Sequence, residues 1–230
     1  MCGRFALTTP HGAIAELFGA ETTEALSERL GNAGPRYNVC PTTRIAAIRL
    51  GEDGGRQLTA LRWGFIPRWY KSPTDGPLLI NARSETIAEK PAFRAACRAR
   101  RCLIPADGFY EWLRQDDRKR PFFVPPAEPR DPPVVCFAAI WETWRGPEGE
   151  AIEACAIVTC DAGPDIRHIH DREPVTIRAG DEGLWLGEEG KGAATLMQPA
   201  PEGFWAPREV SPEVNSNRAE GPELIEPLQA

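Results

Sequence analysis

The chain has no apolar run near the ~18 residues that a membrane-spanning helix needs, no repeat with a period of about 20–50 residues and no low-complexity tail. These absences argue in turn against an integral membrane protein, a solenoid and a long disordered segment. Histidine is scarce, with three residues in 230. None of them stands at a convincing spacing from acidic or thiol partners, so a histidine-based zinc site is not expected. Near the N-terminus, Arg4 and Thr8-Thr9 interrupt the stretch that a signal peptide would keep apolar. A cytoplasmic protein with no membrane partner is expected, nucleoid-associated if bacterial.

What is present fits one globular domain spanning 1–230, with 42% hydrophobic residues, 26% charged residues and 23 prolines to mark turns. The seven cysteines are an odd number, which points to reduced thiols rather than a disulfide framework. Cys97/Cys102 and Cys155/Cys160 repeat one spacing, but Cys102 and Cys155 lie in strand-like apolar runs, where free cysteine packs as a small hydrophobe. No metal is expected. The net charge of −6 is unevenly divided: residues 1–120 carry 19 Lys and Arg against 13 Asp and Glu, and residues 121–230 carry 8 against 20. The basic half is rich in arginine, the side chain shaped for bidentate phosphate contacts.

The pattern predicts a helix after Thr9-Pro10, with Pro10 at its first position and Ile14, Leu17 and Phe18 on its apolar face, and another over 21–30. "RIAAIRL", "GEDGG" and "LTALRWGF" predict a hairpin. A helix is expected over 89–99, and strands over 102–105, 108–113, 121–125, 134–143, 152–160, 174–178 and 205–210. "PPAEPRDPP", residues 125–133, fits a proline-rich hairpin loop. The class is α+β, with a mostly antiparallel, barrel-like β core and flanking helices.

Four clusters hold residues that packing alone does not require. Cys2 follows Met1, and removal of the methionine would leave an amine and a thiol on adjacent carbons. An α-amine is neutral to the extent of about a quarter near pH 7.4, far more than lysine, and a neutral amine attacks aldehydes. The alternative is an idle cysteine at a frayed end. In "INARSET" (80–86), Asn81 and Arg83 come where an apolar strand should be ending, while Ser84 suits a helix cap. In "RCLIPADGFYEW" (101–112), Asp107 and Glu111 lie among aromatic residues, a setting that raises a carboxyl pKa. A turn at Asp107-Gly108 and a solvated Glu111 explain them equally well; Glu111 is the stronger of the two as a proton donor. "HIHDREP" (168–174) holds two histidines at i and i+2, which on a strand would face one side. "LRWGFIPRWYK" (61–71) interleaves Arg62, Arg68 and Lys71 with Trp63 and Trp69, a pattern suited to stacking on bases and pairing with phosphates, although tryptophan in a strand is more often core.

Taken in order, "MCGRF", "YNVCPT", "RWGFIPRW", "NARSET", "RCLIPADGFYEW", "FAAIWE", "HDREP" and "VSPEVN" resemble the SOS-response-associated peptidase (SRAP) family of abasic-site processing proteins, over nearly the whole chain. The resemblance implies that mature Cys2 bonds covalently to the ring-opened aldehyde of an abasic site in single-stranded DNA. It implies Asn81 as the orienting amide, Glu111 as the proton-transfer carboxylate and His170 as the residue assisting sugar opening. It further implies DNA contacts at Arg4, Asn38, Trp63, Trp69, Arg83 and Thr159, with no cofactor. The expected partners are abasic single-stranded DNA and replication-fork proteins, and the expected state is a monomer. A thiol peptidase using the N-terminal nucleophile, or a non-covalent single-stranded DNA-binding module, are the alternatives. Glu173 stands where the family usually has Met; directed at His170, it would favour the imidazolium. Cys40 replaces a usual small residue, a swap that packing should tolerate.

Overall fold

The computed structural model describes residues 2–31, 34–115, 118–128 and 134–228. The first third holds β1 (Phe5–Leu7), α1 (His11–Phe18), β2 (Glu21–Thr22), α2 (Glu24–Leu30), β3 (Arg36–Val39), β4 (Arg44–Leu50) and β5 (Arg56–Trp63). The middle holds β6 (Asn81–Arg83), α3 (Arg94–Ala99), β7 (Arg101–Ala106), β8 (Gly108–Gln115) and β9 (Arg118–Val124). There follow β10 (Val135–Arg145), β11 (Ala151–Asp161), β12 (Arg172–Pro174), β13 (Thr176–Ile177), α4 (Glu182–Leu186) and β14 (Arg208–Glu209).

Five strands close on themselves. β11 pairs antiparallel with β10, β10 with β7, β7 with β4, and β4 with β5. A parallel contact completes the ring, with Ala154 opposite Arg62 and Cys155 opposite Trp63. Closure leaves this ring without a free edge. β10 and β11 are buried at consecutive positions, including "VCFAAI" and "ACAIVTC", as strands covered on both faces must be. Cys102, Cys136, Cys155 and Cys160 are all buried free thiols of this core, and burial pushes Cys155 and Cys160 up to about 12.

A second, antiparallel sheet in the order β14-β9-β8-β1-β3 lies against the barrel. Phe5 of β1 joins the two layers, its ring 5.3 Å from that of Trp63 and 6.3 Å from that of Phe137. Phe109 of β8 adds an edge-on contact with Phe137 at 6.0 Å. The α+β class and the mostly antiparallel, barrel-like core follow expectation.

Several boundaries differ for identifiable reasons. Pro10 keeps an extended ψ of 144° and so stands just outside α1 rather than at its first position. The expected helix over 21–30 begins at 24 because Thr23 caps it, accepting the Leu26 N–H, while Glu21–Thr22 runs parallel to β5. The helix expected over 89–99 is confined to Arg94–Ala99: the residues before it form separate turns, with Lys90 N–H on the Thr86 carbonyl at 3.0 Å and Pro91 unable to donate. The single strand expected at 174–178 is two, because at Val175 the chain passes from pairing with β11 to pairing with β10. The strand expected over 205–210 shortens to β14. Residues 129–133 of the proline-rich loop lie outside the described residues; Pro126 bridges to Trp205.

The main correction is Trp63, expected on DNA. It is wholly buried, stacked near Phe5, and its indole N–H donates to the Ile80 carbonyl at 3.0 Å. Trp63→Phe, which loses that hydrogen bond and part of the ring packing, should cost at least about 1–3 kcal/mol, and Trp63→Ala about 3–5 kcal/mol, by urea unfolding. A Trp63→Ala protein of unchanged stability with weakened DNA binding would reverse the assignment.

Candidate active site

β1 carries the start of the chain into the interior. Phe5 lies opposite Phe109, and Tyr110 donates its backbone N–H to the Arg4 carbonyl at 2.9 Å, extending the pairing toward Cys2 and Glu111. Met1 lies outside the described residues. The side chains of Cys2 and Glu111 are both buried, and the Glu111 charge acts on the Cys2 thiol. Burial first, and the Glu111 carboxylate second, push the Cys2 thiol far up, against smaller opposing effects of the N-terminal charge and then of the Arg4 backbone N–H. Cys2 is therefore a thiol, not a thiolate, at neutral pH.

His170 approaches Glu111 from the other side, its Nε2 3.9 Å from Glu111 Oε2. Its Nδ1 accepts the Arg172 backbone N–H at 2.9 Å, which places the imidazole proton on Nε2, facing Glu111. The exposed Asp171 carboxylate is also 2.9 Å from Nδ1, but the backbone N–H has hydrogen-bond alignment and sets the tautomer. His168 is exposed and lies with His170 in a turn rather than on a strand, so the two do not form the same-face pair expected from their spacing.

Asn81 opens β6, in register with Ile157 of β11, next to the carbonyl held by Trp63. Both polar atoms of its side chain are buried without a hydrogen-bond partner among the described residues. A carboxamide left so costs about 1–3 kcal/mol, as expected of a group reserved for a ligand.

The frame around these groups rests on a residue that sequence reading missed. The buried Arg172 guanidinium takes both Glu85 oxygens at 2.9 Å, Asp161 Oδ1 at 2.5 Å and the Thr159 carbonyl at 2.7 Å. It ties "NARSET" to "HDREP", and its hydrogen bonds hold the Glu85 carboxyl below the usual range. The signal was an acidic and a basic residue inside two motifs that packing left unexplained. Glu173 corrects a second expectation, because it turns away from His170. Its oxygens accept the Ala200 N–H at 2.6 Å and the Gly163 N–H at 2.9 Å. Asp165 accepts the Gly203 and Trp205 N–H groups, both at 3.0 Å, so two carboxylates fasten the histidine turn to residues 200–205. Asp107 is structural too, accepting the Thr8 N–H at 2.7 Å and the Thr8 hydroxyl at 2.6 Å.

The expected DNA contacts separate into two groups. Arg83 and Trp69 are exposed. Arg4 donates to Asn38 Oδ1 at 2.8 Å, to the Val214 carbonyl at 2.6 Å and to Asn217 Oδ1 at 2.8 Å. Asn38 is buried and gives its amide protons to the Ser216 and Ala219 carbonyls at 2.9 and 2.7 Å. Thr159 is buried with its hydroxyl unpartnered. Arg4 and Asn38 thus fix the chain around 214–219, and neither Asn38 nor Thr159 presents its side chain at the surface. Cys40 is accommodated, its thiol on the Asn38 carbonyl at 3.3 Å.

A closed mixed barrel that buries an N-terminal cysteine beside a carboxylate and an imidazole defines a recognisable class. Residues 1–217 match the family model described as SOS response associated peptidase (SRAP), and the chain belongs to that family. It is 37% identical over 230 residues to the abasic site processing protein YoqW of Bacillus subtilis, covering 98% of this chain and 99% of the relative. It is 32% identical over 234 residues to the abasic site processing protein YedK of Escherichia coli, covering 99% and 100%. A crystallographic structure of a protein from Bacteroides thetaiotaomicron shares the fold, with a TM-score of 0.87 at 22% identity over 99% of this chain and 100% of that one.

Burial is the main cause that raises the Glu173 carboxyl above the ordinary 4.5, outweighing its backbone hydrogen bonds. The native state then holds this proton more tightly than the unfolded chain, so the contribution of Glu173 to stability falls as pH rises from 4.5 through its native value. Urea unfolding at pH 5 and pH 7 should show the loss between the two reduced in Glu173→Gln; an unchanged difference would contradict the assignment.

Proposed function

We propose that this protein processes abasic sites in single-stranded DNA by forming a thiazolidine crosslink through mature Cys2, which shields the lesion from strand cleavage. The observation that carries the reading is the burial of Cys2 against Glu111, with the His170 Nε2 3.9 Å from that same carboxylate. The relatives' names, abasic site processing protein, point to the same substrate.

The order of steps follows from the protonation states. Burial disfavours the Cys2 thiolate, and the first nucleophile in this reading is the neutral fraction of the α-amine exposed by loss of Met1. His170 and Glu111 move the protons that open the deoxyribose to its aldehyde. The amine nitrogen then bonds to the aldehyde carbon, and the carbinolamine loses water with Glu111 as general acid. The Cys2 sulfur adds to the imine carbon while its proton passes to nitrogen, closing a five-membered ring. Ring closure removes the iminium that would otherwise drive β-elimination. The Asn81 carboxamide supplies unused donors and an acceptor to orient the opened sugar, and Arg83 and Trp69 hold the strand.

Removal of Met1 by the same Glu111 and His170 is part of this reading. A thiol peptidase acting on other chains is disfavoured by the protonated thiol, since the thiolate is the competent nucleophile. Incubation with abasic single-stranded DNA should give a slow-migrating band on a denaturing gel. Cys2→Ala should abolish it, and Glu111→Gln should slow its formation roughly 10²–10⁴-fold. Mass spectrometry should find Met1 absent from the reactive protein. A covalent band that survives Cys2→Ala would refute the proposal.

A further inference from the structure

Between Trp63 and Asn81 the chain leaves the barrel and returns, and its arginines are used differently from the phosphate contacts that "LRWGFIPRWYK" leads one to expect. Arg62 donates inward to the Gly64 carbonyl at 2.6 Å. Arg68, whose side chain is largely exposed, holds its Nε 2.8 Å from Oε1 of Glu142, a residue of β10 that is only 4% exposed. The other Glu142 oxygen accepts from Arg100 at 2.6 Å, and Oε1 also takes the Thr143 N–H at 3.0 Å. On the far side of Trp69, the Tyr70 carbonyl accepts the indole N–H of buried Trp144, also of β10, at 2.8 Å. The Tyr70 N–H closes a turn onto the Pro67 carbonyl at 3.0 Å.

Both sequence neighbours of Trp69 are therefore tied to one barrel strand. Trp69 itself is 59% exposed, whereas Trp63, Trp144, Trp185 and Trp205 are all buried and Trp112 and Trp141 half-buried. An exposed indole on an anchored backbone, its ring edge-on to that of Tyr70 at 6.4 Å, has less freedom to lose when a partner arrives, which favours binding to its face. A nucleobase is the partner whose flat surface fits, and every base offers one.

We infer that Arg68 is a strut and not a phosphate ligand: its ion pair with the buried Glu142 sets the Trp69 indole as a fixed stacking platform for an unpaired base. Arg68 is thus a positioning residue, acting through Trp69. This rests on the single-stranded DNA reading given above, but not on the crosslinking chemistry.

The test uses the full chain and an undamaged fluorescent single-stranded oligonucleotide, with affinity measured by anisotropy across a range of salt concentrations. Trp69→Ala should weaken binding roughly 5- to 100-fold. Arg68→Ala should weaken it roughly 2- to 10-fold with the salt slope unchanged, because no phosphate contact is lost. Arg83→Ala, which removes an exposed cation, should lower the slope by about 0.7. Arg68→Lys, able to keep an ion pair with Glu142, should recover part of the affinity, and Glu142→Gln should behave as Arg68→Ala. Thermal unfolding checks that each variant is folded; if Glu142→Gln is not, the two Arg68 variants decide. A slope lowered by about 0.7 in Arg68→Ala would make it a phosphate ligand and overturn the inference. So would a Trp69-dependent affinity indifferent to Arg68, or wild-type affinity in Trp69→Ala. Wild-type protein that does not bind the oligonucleotide at all would bring down the DNA reading with it.

Discussion

The arrangement of this molecule depends on one edge of β11, which two successive strands share. β5 ends against it at Cys155, β6 starts against it at Ile157, and both run parallel to it. β5 and β6 lie end to end along this edge, only two β11 positions apart, so the chain between them has to leave the edge and return to it. The same edge therefore closes the barrel, sets Asn81 in register and forces out the segment carrying Trp69. Trp63 stabilises this junction from inside, contacting Phe5 of the second sheet and holding the Ile80 carbonyl. The packing of the barrel and the location of the candidate site are thus consequences of one pairing.

Burial then determines the chemistry that the site permits. In water, a cysteine thiol is close enough to neutrality to supply some thiolate; inside this core, beside Glu111, the charged form is disfavoured twice over. Glu111 sits between thiol and imidazole, and the backbone N–H of Arg172 fixes which imidazole nitrogen faces it.

The histidine turn is held from two directions by opposite charges. Arg172 binds it to the turn after β6 through Glu85, while Glu173 and Asp165 bind it to residues 200–205 through three backbone N–H groups. Adjacent residues thus face opposite ways, as they must on an extended strand. That alternation directs the Glu173 carboxylate away from the imidazole, although it lies only three residues along the chain.

Much of this was legible in the sequence. The β4–β5 hairpin, the buried cysteines and the long strands β10 and β11 follow from apolar runs bounded by turn residues, because those signals are local. The clusters around Cys2, Asn81, Glu111 and His170 stood out because their residue types are not what packing requires, and the resemblance to the family singled out these four within them. The tertiary structure decided the rest. Strands of two to four residues such as β1, β3 and β6 are too short to carry a period, and pairing partners distant in sequence alone create them. Whether Trp63 or Trp69 faced solvent, whether Arg68 was free or spent on Glu142, and where Glu173 pointed depended on barrel closure in the first case, on a contact more than 70 residues away in the second and on strand alternation in the last. Local pattern determines what a segment can form; only closure of the barrel determines which side chains end inside it and which remain outside.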